Sequence, residues 1–375
     1  MSVIPTMPQS KIFTPVTIPT RAGQGLELRN RTVLPPMCQY SIEQRDGVPT
    51  SWQLVHLGSH AQGGFGLVIA EAAAVAPEGR ISDLDVGIWN DQQATAWKPI
   101  TEYIRSQGAA AGIQLAHAGA KASTYGWLKE LEAVGKTGSL TAADGGWQTL
   151  TSSPSELHSL NPAVALTVEQ IADSVTDWAA AAQRADQAGF DFIQIHAAHG
   201  YLIHQFLSPL TNKRTDQYGG SWENRTRYLR EIVQAILAVW PQDKAVGIRF
   251  SGDDWVEGGW RIADTTRMAA ELYTLGVRAF DLSSAGIGPF KGPSGPGYQI
   301  PLAQAVKGAL PEDAFVTAVG GITDAVQAEQ ILVTHQADGV SIGRAALGDP
   351  QWPNRAAQRL GASLAAPAQY WRGRW

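Results

Sequence analysis

The sequence predicts an α/β fold: a single (β/α)8 TIM barrel with an N-terminal β-hairpin and an extended loop after the third barrel strand. Short apolar runs alternate with helical patterns, and each run is nearly all apolar rather than alternating, as in parallel strands buried on both faces. Eight such runs favour closure into a barrel over an open Rossmann sheet. The predicted strands are Thr32–Pro35, Leu67–Ala70, Gly112–Ala116, Asp191–His196, Ala245–Phe250, Ala279–Ser283, Phe315–Val319 and Gly339–Ile342.

The segments between the runs carry helix signals. Thr167 and Gln170 have the spacing of a capping box, and apolar residues then recur at three- and four-residue steps before Gly189. This pattern predicts an amphipathic helix that ends at a glycine. Two later helices are predicted to stop at Pro241 and at Gly276, because neither residue continues a helix well.

Three segments of the predicted single domain, residues 1–375, fall outside the repeat. Residues 12–30 are expected to form the β-hairpin. Residues 118–162 form a connection rich in Gly, Ser, Thr and Ala, whose length predicts a functional, lid-like excursion. The tail, residues 367–375, places Arg372 and Arg374 among aromatic residues. This composition predicts a docked tail, either on a neighbouring subunit or on its own chain.

Composition narrows the classes of function. The formal net charge is -5, which predicts no nucleic-acid or anionic-membrane partner, because both require a basic face. Cys38 is the single cysteine, so internal disulfides, zinc sites built from four cysteines and cysteine-held iron–sulfur clusters are excluded. No segment has the layout of a secretion signal or the length of an apolar membrane span. We therefore expect a cytoplasmic protein.

Barrel enzymes carry their chemistry at the C-terminal ends of the strands. Gly320-Gly321 follows the seventh predicted strand, and Gly343-Arg344 follows the eighth. Glycine turns let a phosphate approach backbone N–H groups, and arginine adds a fixed charge. The alternative is that the glycines serve only tight turns. Both motifs together, at the corner where barrels repeatedly bind phosphate, favour a phosphate site.

His196 and His199 follow the fourth predicted strand, three residues apart. They could donate hydrogen bonds to a substrate oxygen, bind a metal ion, or be core residues satisfied by the backbone. No carboxylate or third histidine has obvious ligand spacing, and His204 lies on the following segment. A position at a barrel mouth argues against a core role. We place hydrogen-bond donation first and predict no metal site.

Several motifs in the correct order resemble the old yellow enzyme family, in its thermophilic-like ene-reductase and xenobiotic reductase branch. They are Pro36-Met37-Cys38-Gln39-Tyr40, Gln114-Leu115-Ala116-His117-Ala118-Gly119, the run HAAHGYLIHQFLSP from His196 to Pro209, Gly320-Gly321 and Gly343-Arg344. The resemblance implies an FMN bound noncovalently at the barrel mouth, with NADPH or NADH as hydride donor.

The resemblance also implies which residues hold the cofactor. They are Pro36, Met37, Cys38, Ala72, Gln114, Arg249, Gly320, Gly321, Gly343 and Arg344. Cys38 would lie near the redox-active edge of the flavin, and Gln114 would contact its pyrimidine side. Arg249 would stabilise negative charge on the reduced ring. The glycines and Arg344 would hold the phosphate, in agreement with the motif analysis above.

For the substrate, the resemblance implies that His196 and His199 donate hydrogen bonds to the carbonyl or nitro oxygen of an activated alkene. Flavin N5 would deliver hydride to the β-carbon, and Tyr201 would protonate the α-carbon as a general acid. Because the nicotinamide and the alkene would share one site, the resemblance implies ping-pong kinetics.

Further substrate contacts and a homo-oligomer, dimer or tetramer, follow from the same resemblance. The expected contacts are Tyr40, Lys121 and Arg372. In this branch a tail arginine reaches the neighbouring subunit's site, and either Arg372 or Arg374 could be that residue. Two alternatives to an ene-reductase stay open. One is a metal-dependent TIM-barrel hydrolase that uses His196 and His199, and the other is a flavin-binding barrel without catalysis.

Overall fold

The computed structural model of the chain describes residues 10–155, 157–364, 367–370 and 372–373. Its strands are β1 (Val16–Pro19), β2 (Gly25–Leu28), β3 (Thr32–Leu34), β4 (Leu67–Ala74), β5 (Ala110–Ala116), β6 (Leu150–Thr151), β7 (Val164–Ala165), β8 (Phe192–Ala197), β9 (Ala245–Ser251), β10 (Ala279–Ser283), β11 (Phe315–Ala318) and β12 (Gly339–Ser341). A closed barrel forms in the order β3-β4-β5-β8-β9-β10-β11-β12, and each strand is parallel to its neighbours. The predicted (β/α)8 barrel is confirmed.

Helices connect the barrel strands and cover the outside of the barrel. They are α1 (Ser51–Gln62), α2 (Asp91–Ser106), α3 (Lys129–Ala133), α4 (Val168–Gln187), α5 (Leu202–Leu207), α6 (Trp222–Arg225), α7 (Arg227–Val239), α8 (Ile262–Leu275), α9 (Ile300–Lys307), α10 (Ala325–Val333), α11 (Arg344–Gly348) and α12 (Trp352–Arg359). None of the described helices has the length and apolarity to cross a membrane.

Local signals explain where the predicted helices begin and end. The Thr167 hydroxyl oxygen accepts from the Gln170 N–H at 3.2 Å, and Gln170 Oε1 accepts from the Thr167 N–H at 2.9 Å. This capping box starts α4 at the predicted position. Gly189 follows the end of α4 with a φ of 84°, a conformation that glycine adopts without strain. Trp240 and Pro241 follow α7, and Gly276 follows α8.

Two of the barrel strands differ from their predicted bounds for identifiable reasons. β3 ends at Leu34, because Pro35 has no N–H to continue the ladder. β4 continues past Ala70 to Ala74 with an irregular register. Ala70 pairs with Ile113 and Ala72 pairs with Gln114. Glu71 is therefore the extra residue of a β-bulge, a device that redirects side chains near functional sites.

The predicted N-terminal hairpin is also confirmed. β1 and β2 pair antiparallel, from Val16 opposite Leu28 to Pro19 opposite Gly25. Ile18 and Leu28 are fully buried, in one apolar cluster with the first residues of several barrel strands. The cluster also contains Leu67, Phe192 and Phe315. The hairpin thus closes the N-terminal end of the barrel.

The excursion after β5 contains the short elements α3 and β6, and β6 pairs with β7. Its Trp147 is tied to the loop after β4, because Trp147 Nε1 donates to the carbonyl oxygen of Glu78 at 3.0 Å. The Arg80 guanidinium lies 5.1 Å from the Trp147 ring centroid and 5.4 Å from that of Trp89. Such cation–π contacts fix an arginine between two aromatic rings. The excursion is therefore attached to the C-terminal side of the barrel.

Candidate active site

Polar side chains of neighbouring strands lie side by side at the C-terminal mouth. Gln114 of β5 pairs with Gln194 of β8, and Gln114 Nε2 donates to Gln194 Oε1 at 2.8 Å. His196 of β8 pairs with Arg249 of β9, which in turn pairs with Asp281 of β10. Arg249 Nε lies 3.0 Å from Asp281 Oδ2. The strand register therefore assembles a buried polar layer from residues far apart in sequence.

The rings of His196, His199 and Tyr201 form a compact group above this layer. The ring centroids of His196 and His199 are 5.2 Å apart, and those of His196 and Tyr201 are 4.9 Å apart. The His199 and Tyr201 centroids are separated by 6.4 Å. Each pair is close to perpendicular, an arrangement that aromatic rings favour. The structure brings these three predicted site residues together, while their roles stay predictions.

Burial sets the protonation states in this group. Burial and the charge of Arg249 hold the pKa values of His196 and His199 well below the ordinary histidine range. Both imidazoles are therefore neutral at pH 7, with one donor and one acceptor nitrogen each. Burial raises the pKa of Tyr201 well above its ordinary value, so the phenol keeps its proton. The group offers two neutral hydrogen-bond donors beside one weak acid.

The turn between β8 and α5 has a specific backbone conformation. His199 has a φ of 59° and Gly200 a φ of 73°, both in the left-handed region. The His199 N–H donates to Ser251 Oγ at 2.8 Å, and Lys121 Nζ donates to the His199 carbonyl oxygen at 2.8 Å. Lys121 Nζ also lies 5.1 Å from the Tyr201 ring centroid, and burial lowers the pKa of Lys121 to about 8. The predicted contact residue Lys121 thus borders the group.

The loop after β3 carries the predicted residues Pro36, Met37, Cys38 and Tyr40, all half-buried. Glu71, in the β-bulge, holds this loop. Its carboxylate accepts the Gln39 backbone N–H at 2.7 Å and Gln53 Nε2 at 3.1 Å. Burial raises the pKa of Glu71 to about 8. The bulge therefore presents a buried carboxyl group to the segment that carries Cys38.

Cys38 and Tyr201 pack against the same apolar cluster. The buried members of that cluster are Ile81, Ala118 and Ala122, and Trp147 packs against it as well. Burial, aided by nearby acidic groups, raises the pKa of Cys38 well above its ordinary value. The side chain is therefore a neutral thiol rather than a thiolate at pH 7.

One cleft of about 1180 Å³ connects His199 and Arg249 with the predicted phosphate site. The phosphate-site residues that line it are Gly320, Gly321, Gly343 and Arg344. The cleft is also lined by Trp127, 86% exposed, and Phe290, 49% exposed. The structure therefore places His199 and the glycines of the predicted phosphate site in the same cleft.

The glycine end of the cleft fits a phosphate group. The backbone N–H groups of Gly320, Gly321 and Gly343 donate to no acceptor among the residues the structure describes. Gly320 has a φ of 117° and Gly321 a φ of 65°. A Cβ atom at Gly321 would lie 3.0 Å from the carbonyl oxygen of Gly295. Unpartnered N–H groups form an anion-binding concavity, so this end of the cleft suits the phosphate group of a cofactor such as FMN.

Sequence analysis missed two of the residues that support this site. They are Gln194 and Asp281, which contact Gln114 and Arg249 respectively. One signal was available, because Asp281 is a charged residue inside an otherwise apolar strand and lies two positions before Ser283. Residues two apart in a strand share a face, so both were candidates for the mouth of the barrel.

The structure bears only in part on the predicted tail and on the alternative of a metal site. Arg372 is exposed, and its reach into a neighbouring subunit stays a prediction. Arg374 lies outside the described residues. Within those residues no group of three or more His, Cys, Asp or Glu side chains is placed to hold a metal ion.

Similarity to known proteins agrees with this site. Residues 11–362 match the family described as NADH:flavin oxidoreductase / NADH oxidase. The chain is 41% identical to an NADPH dehydrogenase of Bacillus subtilis, over 97% of this chain and 99% of that protein. It is 43% identical to an NADPH dehydrogenase of Bacillus pumilus, over 96% and 98% of the two chains.

Solved structures show the same likeness. Morphinone reductase in complex with tetrahydroNAD superimposes with a TM-score of 0.75 at 29% identity, covering 96% of this chain and 93% of that one. A 2-naphthoyl-CoA reductase shares the fold with a TM-score of 0.82 at 23% identity, over 93% of this chain and 52% of that one. The chain therefore belongs to the NADH:flavin oxidoreductase / NADH oxidase family, that of the old yellow enzymes, and is an FMN-dependent oxidoreductase.

Proposed function

We propose that the protein reduces carbon–carbon double bonds that are activated by a carbonyl or nitro group, with NADPH or NADH as the hydride donor. The proposal rests on one observation: two neutral imidazoles, those of His196 and His199, lie beside the protonated phenol of Tyr201. The relatives named NADPH dehydrogenase support NADPH as the donor. FMN, when bound, supplies hydride from N5 to the β-carbon of the alkene.

His196 has one nitrogen available for a substrate. The Ala198 N–H donates to His196 Nδ1 at 3.3 Å, which leaves the ring proton on Nε2. His196 then donates from Nε2 to the substrate oxygen. A donor in a buried site stabilises the negative charge that develops on that oxygen as the alkene is reduced.

His199 supplies the second donor through its contact with Ser283. His199 Nε2 and Ser283 Oγ are 2.7 Å apart. The Ser283 hydroxyl has a second possible acceptor in Gln299 Oε1, at 3.4 Å. In the proposed arrangement it donates to His199 Nε2 at the shorter distance, so the ring proton resides on Nδ1 and is free for the substrate oxygen. In that arrangement Ser283 holds the tautomer of His199 that completes the pair of donors.

Tyr201 is the proton donor in this proposal. Its phenol keeps its proton because burial raises its pKa, and it lies beside both histidines. Hydride addition at the β-carbon leaves an enolate, whose oxygen the histidines stabilise by hydrogen bonds and whose α-carbon takes the phenolic proton. Lys121, with Nζ 5.1 Å from the Tyr201 ring, stabilises the phenolate that remains. Tyr40 is assigned to a contact with the substrate.

The remaining predicted residues are assigned to the cofactor. Pro36, Met37, Cys38, Ala72, Gln114 and Arg249 border the ring, and Gly320, Gly321, Gly343 and Arg344 hold the phosphate. The unpartnered glycine N–H groups and the pairing of Ala72 with Gln114 support this assignment. A homo-oligomer in which Arg372 reaches a neighbouring site is part of the same proposal, and analytical ultracentrifugation tests the oligomeric state.

A spectroscopic titration followed by turnover tests the function. Purified protein is expected to be yellow, to lose its visible flavin absorbance on anaerobic addition of NADPH, and to regain it on addition of 2-cyclohexenone. Gas chromatography should then show cyclohexanone. The matched control is an allylic alcohol of the same ring size, which lacks the activating carbonyl group. Bleaching by NADPH without recovery by the enone would leave the protein a flavin reductase and overturn alkene reduction.

A further inference from the structure

The third histidine of the motif between residues 196 and 209 has no part in the proposed reaction. His204 lies on α5, its side chain is 0% exposed, and its Nε2 lies 2.9 Å from Oδ1 of Asp254, which is equally buried. His204 does not line the cleft that contains His199. Burying an ionisable group costs free energy unless the group has a partner. We therefore asked what the paired side chains of His204 and Asp254 do.

Hydrogen-bond direction fixes the tautomer of His204. The Gly200 backbone N–H donates to His204 Nδ1 at 2.9 Å, so Nδ1 carries no proton in this arrangement. The ring proton is therefore on Nε2, which faces Asp254. Among the described residues, neither His204 Nε2 nor Asp254 Oδ1 has another hydrogen-bond partner, so each depends on the other.

Asp254 is itself anchored through its second oxygen. Oδ2 accepts from Ser208 Oγ at 2.6 Å and from the Trp260 N–H at 2.8 Å. Burial acts to raise the pKa of Asp254, but the contacts with His204, Ser208 and Trp260 outweigh it and leave the pKa below its ordinary value. The group is an ionised, immobile carboxylate and hence a fixed partner for the Nε2 proton.

The atom that His204 holds lies inside the active-site turn. Gly200 stands between His199 and Tyr201 and has a φ of 73°. A Cβ atom at Gly200 would lie 2.0 Å from the carbonyl oxygen of Gly286, so the turn packs directly on the loop after β10. The hydrogen bond of the Gly200 N–H therefore helps to set the orientation of the turn.

We propose that His204 and Asp254 form a positioning pair for the two substrate-facing residues of this turn. Asp254 holds the His204 tautomer, and His204 Nδ1 holds the Gly200 N–H, so that His199 and Tyr201 keep their places at the cleft. The inference rests on the proposed function for the roles of His199 and Tyr201. Neither member of the pair touches substrate, and both act through the backbone of Gly200.

Two substitutions of His204 separate its two contacts in the FMN-loaded enzyme. In His204→Asn the amide oxygen lies near the Nδ1 position and still accepts from Gly200, whereas in His204→Gln the amide reaches toward Asp254 and leaves the Gly200 N–H without an acceptor. We expect His204→Gln to slow reoxidation of the reduced flavin by 2-cyclohexenone by about 10- to 100-fold, mainly in kcat, because small misplacements are costly. His204→Asn should recover most of this rate. Equal losses in both variants, or no loss in either, would overturn the proposal.

Controls keep this test distinct from that of the proposed function. His335→Gln makes the same exchange at an exposed histidine and should match the wild type. If Tyr201→Phe is reoxidised at the wild-type rate, the acid assignment fails whatever His204 does. If Tyr201→Phe is slow and His204→Gln is fast, only the positioning pair fails.

A measurement on the wild type covers the case in which His204→Gln does not fold. Nitrogen-15 NMR of protein labelled at histidine should show His204 as the neutral Nε2–H tautomer. A proton on Nδ1 is incompatible with the Gly200 bond and would overturn the proposal without any variant.

Discussion

The ring of Tyr201 stands nearly perpendicular to the ring of His196, with an interplanar angle of 79° and centroids 4.9 Å apart. An acid and a hydrogen-bond donor at this separation can act on neighbouring atoms of one small substrate. His196 is neutral and Tyr201 is protonated at pH 7, because burial shifts both pKa values away from that pH. The first prediction tests this difference in role, in which Tyr201 is the acid and His196 the hydrogen-bond donor.

Replacing Tyr201 by Phe removes the acid while keeping the ring. Reduction of the flavin by NADPH should be retained, whereas reoxidation by 2-cyclohexenone should slow by roughly 100- to 10,000-fold, the usual contribution of a general acid. Anaerobic stopped-flow absorbance separates the two half-reactions. Equal speed of wild type and variant in both would remove Tyr201 from the acid role.

Replacing Cys38 by Ala tests its contact with the flavin. Cys38 is a neutral thiol, since burial raises its pKa, and its polarisable sulfur would lie beside the redox-active edge. We expect the midpoint potential of the bound FMN to change, measured by dye-coupled reductive titration. A potential identical to that of the wild type would leave Cys38 as a packing residue of the cluster around Ile81.

Replacing Ser283 by Ala frees the tautomer of His199. With the 2.7 Å contact to His199 Nε2 removed, the ring proton no longer has a fixed position. We expect KM for the enone to rise by about 3- to 10-fold, the worth of one ordinary hydrogen bond. Ser284→Ala is the matched control, because Ser284 Oγ donates to Gln299 and not to His199. Parallel behaviour of the two variants would contradict the assignment.

Lys121 gives the reaction a pH dependence with a defined sign. Burial lowers its pKa to about 8, so the ammonium cation beside Tyr201 is present below that pH and lost above it. The rate of alkene reduction should therefore fall as pH rises through about 8. Lys121→Met should be slower at pH 7 by about tenfold, the equivalent of one pKa unit, and should lack this transition.

Stopped-flow reoxidation rates at several pH values check the Lys121 prediction. Lys98→Met, on the exposed face of α2, is the control and should keep the wild-type profile. A transition near pH 8 that survives in Lys121→Met would assign it to another group.

Two glycines separate backbone strain from steric clash. Gly220→Ala meets a φ of 82° with nothing within 4 Å of the added Cβ, so it should cost only the left-handed conformation, about 1–2 kcal/mol. Gly200→Ala also meets the carbonyl oxygen of Gly286 at 2.0 Å. Its unfolding free energy, from urea denaturation, should fall further, and alkene reduction should be lost. Equal destabilisation by both would mean that the turn can move away from Gly286.

Much of the fold was predictable because its signals are local. The capping box of Thr167 and Gln170 lies within four residues, and the apolar runs that became barrel strands are continuous in sequence. The grouping of His196, His199 and Tyr201 was predictable for the same reason, since all three lie at the end of β8 or in the turn that follows it.

The supporting contacts were not predictable, because they depend on barrel register. The pairing that brings Asp281 to Arg249 is set by how β9 and β10 align. Likewise, nothing near Glu71 in the sequence reveals that it is an extra residue in β4, since the bulge is defined only against its partner strand β5. Asp254 reaches His204 through the fold alone.

The hairpin of β1 and β2 has a consequence for traffic through the enzyme. Ile18 and Leu28 close the N-terminal end of the barrel with fully buried side chains, so within the described part of the chain we expect small molecules to enter and leave at the C-terminal mouth. Under the proposed function, the oxidised nicotinamide would then leave by the route through which the next oxidant arrives. A bulky product, or tight binding of the oxidised coenzyme at the mouth, would then limit the turnover rate even when each chemical step is fast.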